Sequence, residues 1–206
     1  MNISSKLLFL FSVLILIYVG IAFSAPFILK KGNYILGNGI YEVYERFCHQ
    51  RVERSLFLFG RQSFYSVQEL KEEAFISPIS KTNTYLEYFG HKYNGNETVG
   101  YKVAICIRDI ALYTTLGFVG LFISLSPLGK RRFSMALVVI LTAPIFIDVF
   151  IQMIIKFIKL DPIPYFFLDN VPKRIFTGIL AGIGVVMGLN NLLGNSLTIK
   201  EEKEKM

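Results

Sequence analysis

The sequence predicts an all-α integral membrane protein: four transmembrane helices, an interfacial amphipathic helix, and a small helical insertion between helices 1 and 2. Three observations carry that expectation. Apolar residues make up 53% of the chain, with 19 Phe, 11 Tyr and no Trp, which is more than a water-soluble domain of this size carries. Uninterrupted apolar runs cover 7–29, 133–158 and 175–193, and at about 1.5 Å per helical residue each can cross a hydrocarbon core about 30 Å thick. A fourth run, 105–125, qualifies when Arg108 and Asp109 lie at its mouth. The formal charge of +7 then follows from basic residues flanking membrane helices, and no basic and aromatic pattern specific to nucleic acid accompanies it.

The first span, 7–29, has a rival reading. Lys6, the apolar run and Ala22-Phe23-Ser24 resemble a signal peptide cleaved before Ala25, but the run continues through 25–29 as an anchor would. Over 40–60, Ile40, Val43, Tyr44, Phe47, Cys48, Val52, Leu56 and Phe59 recur at helical spacing with charges on the other faces, which predicts the interfacial helix. The insertion, 64–100, offers Ser66 and Glu69 as a capping box for a short helix to about Phe75. A second short helix over 84–89 is closed by Gly90, and a Gly- and Asn-rich surface loop follows. Spans at 105–125, 133–158 and 175–193 complete a single membrane domain, 1–206. The short loop holding Lys130, Arg131 and Arg132 contains no acid, so it is expected in the cytoplasm together with both termini.

Polar residues inside the spans point to a site. Asp148 lies about 22 Å along the third span, where insertion costs on the order of 2.5 to 3.5 kcal/mol, so it is expected to face the bundle interior and have a partner. Gln152 and Lys156 follow at four-residue steps on the same face, and a purely structural reading pairs Asp148 with Lys156 or Arg174 to hold helices together. In the second span Cys106, Asp109, Tyr113, Gly117 and Gly120 share a stripe, a polar mouth above small residues that allow close helix approach. Gly178, Gly182, Gly184 and Gly188 serve packing in the fourth. All the polar residues are expected in the membrane half next to the long segment.

Four blocks in order, "CHQRVERS", "CIRDIALY", "DVFIQ" and "RIFTG", resemble the signatures of an uncharacterised archaeal and bacterial membrane-protein family, domain of unknown function 2085. The resemblance runs from about 40 to 185 and selects Cys48, His49, Gln50, Arg54, Ser55, Cys106, Arg108, Tyr113, Asp148, Gln152, Arg174, Thr177 and Gly178. It implies a membrane protein and brings no activity with it. Asp109 stands where the family pattern has a second cysteine and Val149 where it has glycine. The stretch from 64 to 100 reads as an insertion between the first two blocks.

Three readings of the thiols stay open. Cys48, His49, Cys106 and Asp109 offer four zinc ligands, although neighbours on a helix diverge by about 100°. Cys48 and Cys106 could form a disulfide on an oxidising side, or be two buried small hydrophobes. Cys48 is expected on the inward side of the interfacial helix, its sulfur near Cys106 and Asp109. Function divides likewise. A membrane enzyme acting on a lipid or lipid-linked substrate would use Asp148 or His49 as acid or base, and would hold the substrate with Arg108, Gln152, Arg174, Thr177, Gln50 and Tyr113. An oligomeric carrier or channel component would use Asp148 and Gln152 along a solute path. A metal-binding or scaffold subunit would have no turnover. The expected partners are the lipid bilayer and a second copy of the chain.

Overall fold

A computed structural model describes residues 3–65, 69–70, 92–158 and 170–204. The chain divides into two compact units, one comprising Met1–Ile17 and Ile110–Met206, the other Tyr18–Asp109. Five α-helices occur among the described residues: α1 (Ile3–Lys30), α2 (Tyr34–Glu45), α3 (Ile107–Leu125), α4 (Met135–Ile158) and α5 (Val171–Glu204). All but α2 are long and apolar enough to cross a membrane, and they coincide with the four expected runs. Ala22 and Ala25, flanking the candidate cleavage site, lie inside α1.

The first unit is helical. Its core gathers Leu8 of α1, Leu116 and Ile123 of α3 and Val186 of α5. Small residues set the approach. A Cβ on Gly120 would stand 2.1 Å from the Ser12 hydroxyl, and one on Gly182 would stand 2.7 Å from the Leu112 carbonyl. Only 6% of the α4 span is buried against 44% of the α5 span, so α4 presents most of its apolar surface outward, as a lipid-facing helix does. The basic loop before α4 is fixed to the far end of α5. Asn191 accepts the Phe133 amide and donates to the Phe133 carbonyl, Asn190 donates to the Arg131 carbonyl, and the Arg132 guanidinium donates to the Asn191 carbonyl.

The second unit corrects the all-α expectation. It holds an antiparallel three-stranded sheet, order β1-β3-β2, built from β1 (Ser55–Leu58), β2 (Gly95–Asn96) and β3 (Gly100–Cys106). Strand β3, "GYKVAIC", is buried along almost its whole length, so it reads as a continuous apolar run that merges with the following span. The helix therefore starts at Ile107 and not at 105. Ser55 pairs with Cys106 and Phe57 with Lys102, with a bulge between them. The tight β2–β3 turn is held by the Asn96 side chain, which accepts from the Thr98 and Val99 amides. Gly100 is obligatory: its φ is +80°, and a Cβ would meet the Leu58 carbonyl oxygen at 2.3 Å.

The interfacial helix expected over 40–60 is not observed. Helix α2 ends at Glu45, Gln50 takes a positive φ of 46°, and residues 52–54 form a single tight turn before β1. The apolar stripe was real, but its second half serves a different core: Val52 and Phe57 pack with Tyr65, Leu70 and Val99 beneath the sheet. Glu69 and Leu70 are helical. The remainder of the capping-box helix and the one expected over 84–89 lie outside the described residues.

Candidate functional site

Three separate elements bring Cys48, Cys106 and Asp109 together in the second unit. As the chain leaves α2, the Phe47 and Cys48 amides both donate to the Tyr44 carbonyl, which turns the Cys48 side chain inward, where it is 7% exposed. Cys106 closes β3, and its amide donates to the Cys48 sulfur at 3.3 Å. Asp109 lies three residues on, in the first turn of α3. The two sulfurs and a carboxylate oxygen lie within 4.8 Å of one another, and both cysteines are free thiols. The expected proximity of the two sulfurs is met. Two thiolates on one zinc, at about 2.3 Å each, stand about 3.8 Å apart, so ligation needs closure by about 1 Å or less.

The thiols are electronically unequal. A hydrogen bond between the two thiol side chains, with burial, pushes the Cys48 thiol above the ordinary range, while the same side-chain bond holds Cys106 below it. Cys106 is therefore the more readily deprotonated of the two thiols, and a bound cation would favour loss of the Cys48 proton.

A polar frame fixes the Cys48 segment. Gln50, 2% exposed, donates from Nε2 to the Tyr41 carbonyl, and its own carbonyl accepts from Lys102 Nζ at 2.9 Å. The Tyr41 hydroxyl in turn donates to the Lys102 carbonyl. This frame holds Gln50 in its positive-φ conformation. Lys102 is fully buried in β3, and burial pulls its amine down to about 7. Sequence reasoning missed Lys102. The available signal was a lysine inside the otherwise apolar run "YKVAI". His49 is exposed next to Cys48 and is not one of the grouped ligands, and Arg108 is buried in the first turn of α3.

The first unit contains a second polar group. Asp148 on α4 is 2% exposed and pairs through Oδ1 with Lys173 of α5. Gln152, one turn on, donates to Asp148 Oδ2 at 2.8 Å and accepts from Arg174 at 3.4 Å. Asp148, Gln152 and Arg174 are thus brought together as expected, but the ionic partner is Lys173, because the Asn170 side chain caps α5 at the Lys173 amide and starts the helix four residues earlier than expected. The Lys156 side chain lies outside the described residues. The Thr177 hydroxyl donates to the Lys173 and Arg174 carbonyls of its own helix, and Tyr113 is half-buried on α3.

The chain is similar to one known family. The model described as "Predicted membrane protein (DUF2085)" matches residues 98–187, which takes in Cys106, Arg108, Tyr113, Asp148, Gln152, Arg174 and Thr177 and leaves Cys48 and His49 outside. No curated protein and no solved structure matches the chain.

Proposed function

We propose that this polytopic membrane protein binds zinc, or a similar soft divalent cation, through Cys48, Cys106 and Asp109, and uses it on a lipid or lipid-linked substrate. The observation that carries the reading is the convergence of two free thiols and a carboxylate, from three elements, within 4.8 Å. Three protein ligands with a fourth position left for water or substrate is the pattern of catalytic zinc sites, where the ion polarises an oxygen or supplies hydroxide near neutral pH. A structural site would close with four protein ligands. His49, exposed beside Cys48, is then a proton carrier on the solvent side. Arg108, next to Asp109 in the first turn of α3, suits an anionic head group.

Metal analysis of the purified chain tests this directly. We expect about one zinc per chain, reduced at least tenfold in Cys48→Ser and in Cys106→Ser, with two alkylatable thiols after chelation. A metal-free chain whose two cysteines resist alkylation until reduced would replace the zinc reading with a disulfide. A zinc-loaded chain that leaves the head groups of a total membrane lipid extract unchanged by mass spectrometry would be a binding or scaffold subunit.

The Asp148–Lys173 pair with Gln152 favours a second reading, an oligomeric carrier in which these residues line a polar path. Cation flux in vesicles that disappears in a folded Asp148→Asn variant would support it, and unchanged flux would leave Asp148 as a strut. Lys130, Arg131 and Arg132 in the short loop support both termini being cytoplasmic. Labelling of a single cysteine at position 130 from outside intact cells would reverse that orientation.

A further inference from the structure

Helix α2 does not leave α1 but turns back along it. The chain reverses through Gly32 at φ +81°, with the Lys31, Gly32 and Asn33 amides donating to the carbonyls of Phe27, Leu29 and Ile28. Gly37 then sits so close that a Cβ would stand 2.4 Å from Leu29 Cδ2, and the Tyr44 hydroxyl donates to the Tyr18 carbonyl with the two rings 4.7 Å apart. Leu29 is near the end of α1 and Tyr18 lies three turns earlier, so α2 runs antiparallel to the second half of α1.

Between the two helices lies an open groove of about 670 Å³, lined by Ile21 of α1 and by Ile35, Leu36, Ile40 and Val43 of α2. Ile35 is 91% exposed, Val43 58% and Ile21 46%, an apolar face too continuous for water. Its polar ends are already engaged, since Asn33 Oδ1 accepts from the Leu36 amide and the Tyr44 hydroxyl is bonded to Tyr18. The groove therefore recognises hydrocarbon and has little with which to select a polar ligand or a peptide backbone. One wall is a helix long and apolar enough to cross the bilayer, so acyl chains reach the groove without leaving the membrane. Lys30 and Lys31, both exposed, directly precede the turn to Asn33, which lines the groove, and the Lys30 ammonium lies 4.1 Å from the centre of the Phe59 ring. The opposite face of α2 is polar, with Asn38, Glu42 and Glu45 around a separate cavity.

We propose that the α1–α2 groove holds one acyl chain of an anionic phospholipid, with Lys30 and Lys31 at its phosphate and the acyl chain lying along α1. This does not depend on the metal centre. The acyl chain is in hydrocarbon both in the bilayer and in the groove, so its transfer adds little, and what retains one lipid over another is the charge of its head group.

The absence of tryptophan from the chain makes the test clean. Full-length Ile35→Trp, Val43→Trp and Glu42→Trp variants would be placed in vesicles containing phosphatidylcholine brominated at mid-chain, with and without phosphatidylglycerol brominated at the same position. Position 35 is open enough to accept the ring without repacking, and thermal unfolding checks that each variant is folded. We expect at least twofold quenching at positions 35 and 43 and little at 42. Quenching should rise when the brominated lipid is anionic, and that rise should vanish in Lys30→Glu/Lys31→Glu. Equal quenching at 42 and 43 would overturn the groove. Equal quenching by both lipids would overturn the anionic head group. An unquenched position 43 that cross-links between chains would show a second copy as the occupant and reject the lipid.

Discussion

In the helical unit the buried Asp148 meets the Lys173 amine and the Gln152 amide, opposite charge against charge. In the sheet unit the buried Lys102 instead donates to the Gln50 carbonyl and stands near the Tyr41 ring, where burial pulls it toward neutrality. The contrast has a physical cause. Helices α4 and α5 can bring a carboxylate and an amine into contact with little backbone cost. A residue at the centre of a sheet has its position fixed by the strand register, here Phe57 opposite Lys102, and must take whatever partners that register supplies. One unit holds its charge against a carboxylate in contact, and the other holds an amine whose proton affinity burial lowers while Cys48, Glu45 and Glu53 act the other way, so the two should respond to different perturbations.

The largest expected effect separates the units. Gly100→Ala adds left-handed backbone strain and a Cβ in contact with the Leu58 carbonyl, together about 4 kcal/mol against the sheet. Hydrogen exchange should rise across β1 and β3 while α4 and α5 keep their protection, and zinc retention should fall with the sheet because Cys106 ends β3. Equal loss of protection in α4 would mean that the units unfold as one.

Asp148→Leu comes next. It leaves the Lys173 amine without its carboxylate and should cost about 3 kcal/mol, near the low end for breaking a buried pair because Lys173 keeps partial access to solvent. Adding Lys173→Leu should restore most of the melting temperature in detergent, since the uncompensated charge has gone. A double variant as unstable as the single one would mean that pairing is not what holds these helices.

The Lys102 contribution is read through pH. Its folded value, about 7, lies below the unfolded 10.5, so between these the unfolded chain binds more protons and stability rises with pH. The penalty is full below about 7 and fades as pH climbs toward 10.5. Relative to Lys102→Met, which has no such proton, the wild-type chain should gain stability steadily from pH 7 to 10. A constant difference between the two across that range would contradict a buried, neutralised lysine.

Smallest is Arg132→Ala. It removes the guanidinium bond to the Asn191 carbonyl and should lower stability by about 1 kcal/mol, leaving metal content untouched.

The four long apolar helices were legible in the sequence alone, because crossing a bilayer requires some twenty apolar residues in an unbroken run and each helix satisfies its own backbone. That Asp148 needed a partner also followed from the cost of burying it. The identity of that partner did not, since it depends on where α5 begins, which the Asn170 cap decides. The stripe from Ile40 to Phe59 was visible but ambiguous: a helical period cannot tell which neighbour an apolar side chain will meet. Tertiary packing ended the helix at Glu45, held Gln50 at positive φ through Tyr41 and Lys102, and drew Val52 and Phe57 into the sheet core. Cys48, Cys106 and Asp109 were legible as residue types able to hold a metal. Their convergence comes from a long-range strand pairing that carries Cys106 back to Ser55 across about fifty residues, and sequence periodicity has no term for such a contact.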